Sequence, residues 1–330
     1  MGSALRSGTP VVVVNPRASR VADPARRERL IQGVRDAVIG VTGDEPSVVV
    51  GETVEEAAAA LVSAAADRAR AVVVVGGDGT VRDAAARLAG TGIPLGIIPA
   101  GTANLFAGTI GIPRGIDRAV EALAGGRPAD LDIGRARWGS APADVATGEP
   151  TAEPAETSGE RVFVVAAGVG FDAQLMDATT GEHKQRYGRY GYFVAGVPML
   201  RRLHGFDCVL RLGEERLEVR AIQVLAANGG EIIPGVLRPR RRINPRDGLL
   251  DVIVVLGDGL LDGALGALEA VARRDLGRSR SGRSIRARVR AVRIETAVHA
   301  PVEVDGDVVG HGWLEAEAIP RGIRVVVPRR

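Results

Sequence analysis

The sequence is short of cysteine, lysine and aromatic residues, and each shortage removes a class of function. Cys208 is the only cysteine, so no intrachain disulfide can form and the chain suits a reducing cytoplasm. A lone thiol of this kind is more often a small buried hydrophobe than a reactive group. Lys184 is the only lysine and Gly-x-x-x-x-Gly-Lys-[Ser/Thr] is absent, which excludes a Walker-type phosphate loop. Aromatic residues make up 3% of the chain, too few to build base-stacking platforms, and no nucleic-acid partner is expected. Long hydrophobic runs are missing as well. The longest apolar region, Leu249 to Ala272, is interrupted by Asp251, Asp258 and Asp262, so no membrane span is expected. Residues 1–8 are short and polar, and no signal peptide is expected.

What remains is rich in valine, alanine, glycine and arginine. At 330 residues the chain is long for one hydrophobic core and suits two domains. Its centre is the stretch 72–104. Val72 to Val75 are four consecutive β-branched residues, which suits a strand buried on both faces of a parallel sheet. Gly76, Gly77 and Gly79 then strip the following turn of every Cβ except those of Asp78 and Thr80. Thr80 to Leu88 has the composition of a helix. A strand, a bare turn and a helix N-terminus together make an anion site, because the first helical N–H groups lack partners and the dipole end is positive. Asp78 is out of place beside phosphates unless a cation lies between, so it is the candidate Mg²⁺ ligand. The pattern recurs. Ile93 to Ile98 is a second buried strand, followed by Pro99-Ala-Gly101-Thr102-Ala-Asn104. Two such turns at neighbouring strand ends would line one crevice. The plain alternative is a pair of tight strand–helix connections with no ligand.

Gly-Gly-Asp-Gly-Thr followed about twenty residues later by Pro-x-Gly-Thr-x-Asn resembles the catalytic domain of diacylglycerol kinases, sphingosine kinases and related bacterial lipid kinases. The first motif alone is shared with NAD kinases. The resemblance runs from Val11 to Pro328, with the insert at 140–160 unmatched. It implies ATP and Mg²⁺ as cofactors. The nucleotide would sit on Asn15, Pro16, Thr53, Gly76, Gly77, Asp78, Gly79, Thr80, Gly101, Thr102 and Asn104. It also implies a structural cation at Asp247 and the Leu249 backbone, within Asp247-Gly248-Leu249-Leu-Asp251. Asp305 and Asp307, in Val304-Asp305-Gly306-Asp307, are the implied catalytic base and its neighbour, though Asp-Gly is also the commonest turn dipeptide. The chain departs from the family pattern at Arg82, Leu105 and Arg246, where polar or acidic residues are usual.

The order strand, helix, strand, helix through residue 110 predicts an α/β, three-layer, Rossmann-like domain with a parallel sheet over 8–135, completed by 318–328. Asp23 to Ile39, Glu55 to Ala69 and Ile116 to Leu123 are its expected helices. Residues 136–317 predict an antiparallel β-sandwich for a lipid substrate, with a cleft between the domains. Its strands are expected at Arg161–Val165, Asp207–Leu212, Arg216–Ala226, Leu249–Leu256, Ser284–Glu295 and Val302–Val304. A mobile insert is expected at 140–160. The Arg/Tyr stretch Lys184–Tyr192 and the arginines of 238–246 and 273–293 are either solvated faces or sites of attraction to anionic lipid. The expectation is therefore an ATP-dependent lipid kinase, cytoplasmic and peripheral to the inner membrane face, acting on a lipid alcohol such as diacylglycerol. A homodimer is possible. A sphingoid-base kinase, an NAD kinase and a non-catalytic nucleotide-binding regulator stay open as alternatives.

Overall fold

The computed structural model describes residues 8–51, 53–140, 157–170, 204–230, 243–272, 275–279, 281–296 and 300–329. The chain divides into two compact units, Met1–Asp132 with Arg321–Arg330, and Ile133–Pro320. Residues 141–156 of the insert expected at 140–160, residues 171–203, and Arg238, Arg240, Arg241, Arg242, Arg273, Arg274 and Arg280 lie outside the described residues.

In the first unit β1 (Val11–Val14), β2 (Ser47–Val50), β3 (Val72–Gly76) and β4 (Leu95–Pro99) form a parallel sheet in the order β2-β1-β3-β4. Val11 faces Ser47 on one side and Val72 on the other. The valines of β1 and β3 are all buried, as strands covered on both faces must be. Around them lie α1 (Pro24–Thr42), α2 (Val54–Ala66), α3 (Asp78–Leu88), α4 (Leu105–Thr109) and α5 (Ile116–Ala124). Helix α1 packs on α5, and α2 on α3. Helix α1 shows why these segments start and stop where they do. Asp23 accepts the Arg26 N–H at 2.7 Å and proline follows at the first position, while Gly43 ends the helix at φ 78°. Each is the residue that the local backbone geometry favours.

The second unit is antiparallel. It contains β5 (Arg127–Gly139, which begins in the first unit), β6 (Gly159–Phe163), β7 (Ala166–Gly170), β8 (Phe206–Leu212), β9 (Glu215–Ala227) and β10 (Leu250–Leu256). Helix α6 (Gly259–Ala272) and strands β11 (Gly277–Arg278), β12 (Ser284–Val289), β13 (Ala291–Thr296), β14 (Pro301–Val304), β15 (Asp307–His311) and β16 (Trp313–Val327) follow. Alternate residues of these strands meet in one core: Cys208 and Leu210 of β8, Val252 and Val254 of β10, Val302 and Val304 of β14, and Leu314 and Ala316 of β16. Burial pushes the Cys208 thiol up to about 12, so it is an inert hydrophobe at neutral pH.

Three elements differ from the sequence expectation. Ser284–Glu295 is two strands broken at Arg290: β12 pairs with β10, whereas β13 pairs with β8 and β16. The apolar region 249–272 is a strand followed by helix α6. The final strand is fifteen residues long, and only its end, Val325 opposite Leu95, joins the first sheet.

The chain passes between units twice, at 132–133 and at 320–321. Asp132, 2% exposed, lies at one passage and accepts the N–H of Arg321 at the other, at 2.8 Å. Arg321 itself is left-handed, at φ 53°, a conformation that costs a non-glycine residue free energy unless something fixes it. Asp132→Ala removes that acceptor from a buried site. It should lower stability by about 1–3 kcal/mol, read as a lower midpoint in urea unfolding followed by circular dichroism.

Candidate functional site

The C-terminal ends of β1, β3 and β4 carry three turns that touch one another. Asn15 ends β1. Its Nδ2 donates to Thr80 Oγ1 at 3.1 Å and its Oδ1 accepts the Arg17 N–H at 3.0 Å, so one amide joins its own turn to the start of α3. Gly77 is the N-cap of α3 and supplies no side-chain cap, which leaves the first helical turn open to an anion. A Cβ on Gly76 would lie 2.5 Å from Thr80 Oγ1. The tightest constraint is between turns. A Cβ on Gly101 would stand 2.5 Å from the Gly77 Cα and 3.0 Å from Asn104 Oδ1. The two backbones meet with no room for a side chain at Gly101, and only glycine permits that approach.

Asp78 crosses this junction. It is half-buried at the first position of α3, and its Oδ1 accepts the Phe106 N–H of α4 at 3.2 Å. Burial holds its carboxyl above the usual carboxylate range, against backbone N–H bonds from Phe106, Leu105 and Asn104 that pull it down. Thr102 is exposed on the second turn, and Pro16 is half-buried on the first. Arg82, passed over as a departure from the family pattern, reaches back toward the bare turn. A Cβ on Gly79 would lie 3.9 Å from its Nη2, and its guanidinium also contacts Asp83 at 3.3 Å. The signal for it is an arginine one turn into a helix that begins at a glycine-rich turn.

Other nominated residues build turns. Asn104 is 3% exposed and left-handed, at φ 50°. Its amide is closed on one residue, with Oδ1 accepting the Gly101 N–H at 3.0 Å and Nδ2 donating to the Gly101 carbonyl at 2.6 Å. It shapes the turn that would hold a ligand. Thr53 caps α2: its Oγ1 accepts the Glu56 N–H at 3.1 Å and Glu56 Oε2 accepts the Thr53 N–H at 3.4 Å. Thr53-Val-Glu-Glu56 is a capping box legible in the sequence.

In the second unit Asp305-Gly306 is the two-residue turn of the β14–β15 hairpin, with both residues at positive φ, 48° and 84°, the geometry a tight hairpin requires. The Asp305 carboxylate accepts the N–H groups of Val164, Val165 and Ala166 at 2.8, 2.8 and 3.0 Å. It therefore staples the bend between β6 and β7. Asn228, which the sequence reading missed, serves the same bend by donating to the Val164 carbonyl at 3.1 Å. Asp307 opens β15, about half exposed, and pairs with Arg161 at 3.2 Å.

The expected cation at Asp247 and Leu249 does not fit these residues. Asp247 Oδ1 accepts the Leu249 N–H at 3.2 Å, and its Oδ2 is ion-paired with Arg288. Arg288 also reaches Asp251 at 3.7 Å, and the fully buried Arg286 donates to Asp251 at 3.1 Å. Guanidinium groups neutralise this acidic pair from within the protein. Among the described residues no group of three His, Cys, Asp or Glu side chains is placed to hold a metal ion.

Residues 9–136 match the family model of the diacylglycerol kinase catalytic domain, and residues 164–327 match that of the YegS C-terminal NAD kinase beta sandwich-like domain. A "Diacylglycerol kinase" of Mycobacterium tuberculosis (strain ATCC 25618 / H37Rv) is 33% identical over 214 residues, covering 64% of this chain and 62% of that protein. A "Probable lipid kinase YegS" of Escherichia fergusonii is 29% identical over 203 residues, covering 60% of each. The chain thus spans under two thirds of the length of these relatives. A solved structure described as a putative diacylglycerol kinase from Bacillus anthracis str. Sterne superposes with a TM-score of 0.73 at 20% identity, covering 97% of this chain and 96% of the other. That likeness shows the fold.

Two outcomes follow from the geometry. Gly101→Ala should force the turns apart and lower stability by about 1–3 kcal/mol, as a thermal shift would read. The second concerns Asp78. A carboxyl raised by burial stabilises the fold only when protonated. That contribution is complete below the unfolded-state value and is lost as pH rises through the folded-state value. At neutral pH the charged group is a net cost. Asp78→Asn should therefore melt higher than wild type at pH 7, with the gap closing as pH falls toward about 4. A gap independent of pH would show that burial of the charge is not its cause.

Proposed function

We propose, from the match of residues 9–136 to the diacylglycerol kinase catalytic domain and of residues 164–327 to the YegS C-terminal domain, that this chain is an ATP-dependent lipid kinase. The reaction is transfer of the γ-phosphate of Mg-ATP to a lipid hydroxyl, with diacylglycerol as acceptor and phosphatidic acid as product. The observation that carries this reading is the pair of bare turns packed backbone to backbone, with a carboxylate held at their junction against its own solvation. A purely structural junction would be better served by a neutral side chain there.

The open first turn of α3, with Gly77, Gly79 and Thr80, receives phosphate oxygens on backbone N–H groups and the helix dipole. Thr102 and the Gly101 turn receive them from the other side. Gly76 makes room for Thr80, and Asn15 orients it; Pro16, Thr53 and Asn104 shape the surrounding loops. Arg82 adds a full positive charge beside Gly79. Asp78 is the residue that would hold Mg²⁺, an ion that takes one or two carboxylates together with substrate phosphates. When bound, that ion supplies charge neutralisation at the β- and γ-phosphates. Asp307 is the proposed base. Its carboxylate takes the proton of the acceptor hydroxyl as that oxygen attacks the γ-phosphorus, and ADP leaves on the opposite side. Asp305 positions the turn that carries Asp307, because its own oxygens are engaged by three N–H groups.

The resemblance of the second unit to an NAD kinase beta sandwich-like domain makes NAD⁺ the competing acceptor. The deciding experiment is transfer of labelled γ-phosphate to diacylglycerol, sphingosine, other lipid alcohols and NAD⁺. It uses wild type, Asp78→Ala and Asp307→Asn. The expected result is labelled phosphatidic acid with wild type, a loss of about 10²–10⁴-fold in kcat for Asp307→Asn, and no measurable turnover for Asp78→Ala. Transfer to NAD⁺ alone, or to nothing while ATP still binds, would overturn the proposal. Retained activity of Asp78→Ala would remove its metal role.

A further inference from the structure

Helix α6 is built the wrong way round for a surface helix. Its buried positions among the described side chains are Gly263, Gly266 and Ala270, and its exposed ones are Leu261, Ala264, Leu265, Leu268 and Ala272. An ordinary amphipathic helix turns its leucines to the core and its charges to water. Here the small residues let α6 lie close on the sheet. A Cβ on Gly266 would stand 2.9 Å from both the Arg283 carbonyl and Val255 Cγ1. The leucines point out, with Leu261 77%, Leu265 46% and Leu268 66% exposed. Their spacing of four and three residues puts them on one face. Leu276, 47% exposed, follows just beyond the helix. These four are most of the large apolar side chains exposed among the described residues, the others being Val41 and Val62.

The acidic groups on this helix are engaged at its flank. Asp262 pairs with Arg283 at 3.7 Å and accepts the Asp258 N–H at 3.3 Å, and Glu269 accepts the Ser281 hydroxyl. Cations lie on the strands and turn next to the helix. Arg278 is exposed on β11, which pairs with β12 beneath the helix, and Arg283 is 43% exposed. From 273 to 293 the sequence has nine arginines and a single acid, Asp275; four of the nine, Arg283, Arg286, Arg288 and Arg293, are ion-paired with Asp262, Asp251, Asp247 and Glu295.

We propose that the leucine face of α6 is a membrane-docking surface, inserting Leu261, Leu265 and Leu268 into the headgroup–acyl boundary of an anionic bilayer while the neighbouring arginines meet lipid phosphates. The charge pattern selects this occupant. A second copy docked through the same face would set one group of arginines against another, whereas an anionic bilayer neutralises them. The proposal deepens the lipid-kinase reading by giving the enzyme a place on the surface that holds its substrate. Its evidence is independent of catalysis.

The test is co-sedimentation of the full chain with phosphatidylcholine vesicles, with and without phosphatidylglycerol, in the absence of nucleotide and diacylglycerol. Wild type should bind the anionic vesicles and weaken as salt rises. The triple variant Leu261→Ser, Leu265→Ser, Leu268→Ser should lose at least about tenfold in partitioning, and Arg278→Glu should lose several-fold on anionic vesicles alone. Melting temperatures should match wild type, since every altered side chain is exposed. No binding by wild type, undiminished binding by the triple variant, or a dimer in analytical ultracentrifugation that the triple variant abolishes without affecting vesicle binding would each overturn the proposal. Vesicle binding that follows the leucines while the kinase assay fails would leave this surface standing and remove only the proposed activity.

Discussion

The contact between the backbones of Gly77 and Gly101 is the constraint on which the candidate site depends. Two strand ends in register, Gly76 opposite Pro99, deliver two turns to the same place. They can be joined there only if Gly101 carries no side chain, and a side chain at Gly77 would be crowded. The first turn then opens a helix whose N-terminal N–H groups have no side-chain cap. The second is held in shape from inside by the Asn104 amide. The result is a group of backbone donors free of side chains, which suits an anion of variable shape better than a set of flexible side chains would. Asp78 sits where the turns meet, and burial there raises its carboxyl above the usual carboxylate range. Structural sites shed such charges; sites that bind a cation with its anion have a use for them.

Elsewhere the protein deals with buried or crowded polar groups by giving them backbone partners or arginine. Asp132 and Asp305 accept main-chain N–H groups. Asp251 and Asp247 are met by Arg286 and Arg288. On β10 and β12 Asp251 stands directly opposite Arg288, the closest placement a sheet offers for opposite charges. With only one lysine in the chain, these roles fall to the side chain whose planar fork suits paired, desolvated contacts.

The parallel half was legible because its signals are local and concordant. Unbroken valine runs mark strands buried on both faces, Asp23-Pro24 marks a helix start, and the glycine turns mark strand ends. The antiparallel half was less legible. Arg290 interrupts a run of alternating residues without any glycine or proline to announce it. The length of β16 is set by partners in two different units. Helix α6 was hidden by its inverted pattern, since its inward face is glycine and alanine and carries no periodic apolar signal. At the candidate site, the motifs pointed to turns that the fold brings into contact. They did not separate residues that face a ligand from residues that hold the turn. That distinction rests on where each hydrogen bond goes, as Asn104 and Asp305 show. The capping box at Thr53 and the Asp305-Gly306 hairpin were both readable as turn chemistry, and arginine at position 82 was readable as a cation.

The discontinuity of the first unit has a consequence for how the protein is made. Strand β4 receives its outer neighbour from residues beyond 320, after the whole of Ile133–Pro320 has been synthesised. During translation the valine-rich sheet is therefore one strand short, with the polar edge of β4 unpaired for roughly ten to forty seconds at ribosomal speeds. An unpaired edge of a hydrophobic sheet is a template for the wrong partner. The nascent chain is thus most vulnerable to mispairing during the interval in which its second half is being built.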